Sequence, residues 1–145
     1  MALADIQADG TRFLAETKLA VDIGPDGRRW VDIPNHAPHV IRAHEHRADP
    51  FEIRLKPRPN RDFYEETTTL LISFLLSRLK PAVFFDVGAS TGYFSLLAAS
   101  HLEARPDVHA FDMQPDVIAE VNRLAGEIVL PGRMTGHVAG LSDVH

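Results

Sequence analysis

The spacing of apolar positions changes along the chain, and each change marks an element. Residues 83–87, Val-Phe-Phe-Asp-Val, form a short β-branched and aromatic run, the pattern of a strand buried on both faces. Residues 88–92 are a small-residue turn holding Gly88 and Gly92. Over 94–102 the apolar residues Phe94, Leu97, Ala98 and Leu102 fall at helical spacing. Upstream, Phe63, Thr67, Leu70, Leu71, Phe74, Leu75 and Arg78 describe an amphipathic helix that ends before Pro81. Asp62 and Glu65 stand where a capping box would start it.

Downstream, residues 108–112 read as a second strand ending in Asp112. Pro115 and Asp116 open a helix whose buried stripe is Val117, Ile118, Val121 and Leu124, with Gly126 near its end. Pro131-Gly132 turns the chain, and 134–140 is a third strand. At the amino end, residues 1–17 suggest a short helix with Ile6, Phe13 and Leu14 on its apolar side. Residues 18–23 and 29–33 alternate around Gly24-Pro25-Asp26-Gly27, which predicts a β-hairpin. Residues 34–50 are irregular, 51–56 alternate like an edge strand, and Pro57 and Pro59 close the section.

Strand, glycine turn, helix, strand, helix, strand is the sequence of a nucleotide-binding α/β unit. The expectation is a Rossmann-like parallel sheet over 61–145, preceded by a β-rich extension over 1–60. Glycines in the turn allow a sharp bend and a close approach of ligand to backbone. The turn amides and the helix start offer N–H groups at a positive dipole end. Asp86, just before the turn, would repel a pyrophosphate and suits a cationic or hydroxyl-rich ligand. The turn is Gly-x-x-x-Gly, which departs from the dinucleotide fingerprint and argues against NAD. Asp112, 20 residues after Gly92, lies where an acid can accept from ribose hydroxyls. Each signal also has a plainer reading: Asp86 as a strand-end cap, the glycines as bare turn residues, Asp112 as a helix cap.

Asp86-Val87-Gly88-Ala89-x-x-Gly92, then Ala110-Phe111-Asp112 with Gln114-Pro115, then Val138-Ala139-Gly140-Leu141-Ser142-Asp143, resembles the FkbM-type class I methyltransferases. The resemblance runs from about Phe63 to the last residue. Asp112 stands where that family usually has Glu, and Gly140 where it often has Ala. The resemblance implies an incomplete class I sheet, strands 3-2-1 with flanking helices, and S-adenosylmethionine (SAM) as cofactor. It places Asp86 and Gly88 on the methionine end, Ala89 and Gly92 beside the ligand, Asp112 on the ribose, Met113 on the adenine and Asp143 at its edge. The implied reaction is methylation of a small-molecule or sugar hydroxyl, with no base assigned. The alternative is a truncated SAM-binding or structural remnant without catalysis. A fourth strand of the family pattern is missing, so self-association or a partner chain is expected to cover the open edge of the first strand.

Composition narrows the rest. The 145 residues suit one domain with a real core, and 45% hydrophobic with 24% charged residues is ordinary for a globular protein. A net charge of −5 argues against nucleic acid as an obligatory partner. No cysteine is present, which removes disulfides, thiolate zinc sites and thiol catalysis. No secretory signal and no apolar run of membrane-spanning length are visible, so a cytoplasmic protein is the expectation. His36, His39, His44 and His46 match no zinc spacing and read as loop histidines near a substrate.

Overall fold

A computed structural model describes residues 3–25, 27, 29–37 and 65–140. The order is α1 (Leu3–Glu16), β1 (Ala20–Ile23), β2 (Arg29–Asp32), α2 (Glu66–Leu79), β3 (Val83–Val87), α3 (Tyr93–Ala99), β4 (Asp107–Asp112), α4 (Pro115–Glu127) and β5 (Arg133–Val138). The expected strand at 51–56 and the cap residue Asp62 lie outside the described residues.

β3, β4 and β5 form a parallel sheet in that order, with Val83 opposite Asp107 and Asp107 opposite Arg133. The expected mixed α/β architecture is present. Each crossover steps the same way across the sheet, and crossovers of one hand that step one way keep their helices on one face. Val108, Ala110 and Met134 accordingly bury themselves with Ala98 and Ala99 of α3, Val121 of α4 and Leu76 of α2.

The opposite face corrects the sequence reading. The run Val-Phe-Phe-Asp-Val predicts burial on both sides, yet Val83, Phe85 and Val87 are 45%, 64% and 51% exposed. Among the described strands β3 pairs only with β4. Across this face the Phe85, His109, Phe111 and His137 rings form a continuous array with centroids 4.9 to 5.9 Å apart.

The hairpin forms as expected, antiparallel with Val21 opposite Val31. It packs on the helices of the parallel layer. Leu19, Val31 and Ile33 bury themselves with Leu70 of α2 and Leu97 of α3 in one cluster. α1 lies on α2 through the Phe13 and Phe74 rings, 5.4 Å apart, and an Asp9–Arg78 ion pair at 2.9 Å. Gly10 admits that approach, because a Cβ there would lie 3.2 Å from Phe74.

The start of α2 also differs from expectation. Glu65, expected at the third helical position of a capping box, is itself the N-cap, with a left-handed φ of 41° and no side-chain cap bond. At the other end Lys80 takes a left-handed φ of 46° and its N–H closes on the Leu76 carbonyl, stopping the helix before Pro81. α3 is shorter than the apolar spacing predicts, ending at Ala99 rather than near Leu102.

Candidate functional site

Ligands bind open parallel sheets at the carboxyl ends of the strands. Here those ends carry the 88–92 turn after β3, Asp112 and Met113 after β4, and Ala139 and Gly140 after β5. Five expected site residues, Gly88, Ala89, Gly92, Asp112 and Met113, lie there. Asp143 lies outside the described residues.

The turn is folded onto β4 by its own backbone. The Gly88 and Ala89 amides both donate to the Phe111 carbonyl, at 2.8 and 2.9 Å. The Ser90 amide donates to Asp112 Oδ2 at 3.0 Å. The Gly92 amide closes the turn on the Ala89 carbonyl at 2.8 Å. These four amides therefore hold the loop rather than point at an anion.

The two glycines do different work. Both take left-handed φ values, 79° at Gly88 and 73° at Gly92. A Cβ on Gly88 would meet nothing within 4 Å, so the backbone there borders open space. A Cβ on Gly92 would lie 2.8 Å from Val121 Cγ2. Gly92 thus packs against α4 and is the N-cap of α3. Ala89 is likewise turned inward, 6% exposed, in the core with Val108 and Val121.

Asp86 faces α3. Ser95 Oγ, on the buried side of that helix, donates to Asp86 Oδ2 at 2.6 Å. Gly92 has no side chain with which to cap α3, and the carboxylate from β3 supplies the missing acceptor to its first turn. Burial pushes the Asp86 carboxyl above its ordinary range; the Ser95 hydrogen bonds pull it down, and the Asp112 charge adds to the rise.

Asp112 also has structural work. Besides Ser90, it accepts the Gln114 amide on Oδ1 at 2.9 Å, an Asx turn that leads into α4. A carboxylate has about four acceptor positions, so two such bonds leave room for hydroxyl donors. Met113 is 77% exposed and lies over Gly140, where a Cβ would stand 2.8 Å from its Cγ.

His36 is elsewhere. It pairs by backbone with His101, in the connection between α3 and β4, at the amino ends of the strands. Substrate contact at the glycine turn is therefore not open to it. His39, His44 and His46 lie outside the described residues. Ser95 and the Phe111 carbonyl went unread in the sequence; the only signal was a small polar residue in the first turn of a helix opened by glycine.

No family model, no curated protein and no solved structure matches the chain.

Proposed function

We propose that the chain binds SAM at the carboxyl ends of β3 and β4 and serves methyl transfer to a hydroxyl of a small molecule or sugar. The observation that carries the reading is the pinning of the glycine turn to Asp112, which sets an acid beside open backbone at Gly88. The residues present suit such a ligand. Asp112 keeps acceptor capacity for ribose hydroxyls. Asp86 and Asp112 together favour a cationic ligand over a pyrophosphate. The exposed Met113 thioether offers an apolar, polarizable surface to a base.

SAM supplies a methyl group whose leaving sulfur is already activated by its charge. The chain's share is positioning: Gly88 gives close backbone approach, Asp112 fixes the ribose and Met113 packs on the adenine. A base for the acceptor hydroxyl is not assigned among the described residues.

A second reading has its own observation. Asp86, both Asp112 oxygens and four turn amides are already engaged within the chain. Those bonds suit a structural remnant that folds without ligand or turnover.

Calorimetric titration with SAM, with NAD as control, separates the two. Micromolar SAM affinity, about −8 kcal/mol, with none for NAD is the expected result. Asp112→Asn should weaken SAM about 10- to 100-fold, the range of a lost charge-assisted hydrogen bond. A folded chain that takes up no SAM would favour the remnant, and an Asp112→Asn variant with unchanged affinity would remove the ribose assignment.

A further inference from the structure

Residues 34–37 join the N-terminal unit to the parallel layer, and they do so around two buried histidines. The Leu102 amide donates to the Asn35 carbonyl and the Ala37 amide to the Ser100 carbonyl, each at 2.8 Å. Between those bonds the His36 and His101 rings meet edge to face, 4.9 Å apart. His36 is 7% exposed and His101 is fully buried.

Hydrogen bonds fix the tautomer of each ring. His36 Nδ1 lies 2.8 Å from the Pro34 carbonyl, which can only accept, so Nδ1 carries the proton. Its Nε2 then holds a bare lone pair, and that atom is buried with no partner among the described residues. His101 is the mirror case. Its Nδ1 accepts from the Glu103 and Ala104 amides at 3.2 and 3.0 Å, so its proton is on Nε2 and goes to Ser77 Oγ at 2.9 Å. Neither ring can take a second proton in place. On His36 the new N–H would find no acceptor among the described residues, and on His101 it would face two amides.

Among the described residues, the charged groups around the pair do not offset this. His101 itself disfavours charge on His36. Glu103 favours and Lys80 disfavours charge on His101, and those two are paired with each other at 3.1 Å. Burial holds His36 down at about 4 from an ordinary 6.5.

We propose that residues 34–37 are an acid-released latch: neutral His36 fastens the α1–β1–β2 unit to the α3–β4 connection, and protonation of its buried Nε2 frees that unit while the parallel layer stays folded. Release would uncover the hairpin's anchors Leu19, Val31 and Ile33, which pack on Leu70 of α2 and Leu97 of α3 beside the latch.

The chain's single tryptophan, Trp30, sits on β2 and reports the event. We expect a reversible fluorescence shift on acidification with a midpoint between pH 6.5 and 4, before far-UV circular dichroism of the parallel layer is lost. His36→Gln should move that midpoint down by at least about one pH unit, a tenfold change in proton concentration. Proton NMR of the wild-type chain gives a readout that needs no variant. The His36 ring should keep its neutral shift until the fluorescence changes, and the two should then move together. Coincident fluorescence and dichroism transitions, an unmoved midpoint in His36→Gln, or ordinary titration of His36 with no fluorescence change would each overturn the latch.

Discussion

Gly88 and Gly92 share a backbone conformation and differ in their surroundings, and that difference can be measured. Gly88→Ala strains only its φ and should cost about 1 kcal/mol. Gly92→Ala adds a Cβ 2.8 Å from Val121 and should cost about 2 to 3 kcal/mol. Urea denaturation of both variants checks the order, and adding Val121→Ala to Gly92→Ala should recover the steric part. At His36 the linkage has a definite sign. Its folded value is depressed, to about 4 from 6.5, so the unfolded chain binds more protons between those limits and stability falls as pH falls through them. The full loss is about 3 kcal/mol, readable as a urea midpoint that drops between pH 7 and 4 and flattens in His36→Gln. Neither role is visible in the residue type. A glycine in a turn does not announce a valine on a helix 29 positions later, and a loop histidine does not announce a partner 65 positions on.

Elements were more legible than their ends. The glycine turn and the order of β3, α3, β4, α4 and β5 follow from local signals: apolar runs bounded by Gly and Pro, with helical stripes between. Boundaries depend on single backbone angles that a pattern does not carry. Glu65 and Lys80, both left-handed, begin and end α2. A residue with a Cβ pays for that conformation, so Lys80→Gly should stabilise the chain by up to about 1 kcal/mol. The ion pair it gives up, with Glu103, has both side chains about half exposed and contributes little. A rise in melting temperature checks the outcome; a fall would mean the pair matters more than the strain. The candidate site follows the same division. Its position at the strand ends was readable from the order of elements, whereas the inward turns of Ala89 and Asp86 depend on how α3 and α4 seat against the sheet.

At the scale of the molecule, the helices α2, α3 and α4 all contribute to the core on one side of the sheet. The run Val-Phe-Phe-Asp-Val reads as doubly buried because parallel strands normally are; nothing in its composition distinguishes a face that neighbours cover from one that they do not. The described structure leaves Val83, Phe85 and Val87 outward, next to a row of four stacked rings. Among the described residues, the helix side of the sheet carries the ion pairs of α4, such as Arg123 with Glu120, while the opposite sheet face carries rings and branched aliphatics. Such a particle behaves at a boundary as a surfactant does. At an air–water surface it should adsorb with the ring side toward the air, so gentle agitation should deplete it from solution faster than a protein of equal charge whose apolar groups are evenly spread. Surface-pressure traces of the wild-type chain and Phe85→Glu would show this as a slower rise in the variant.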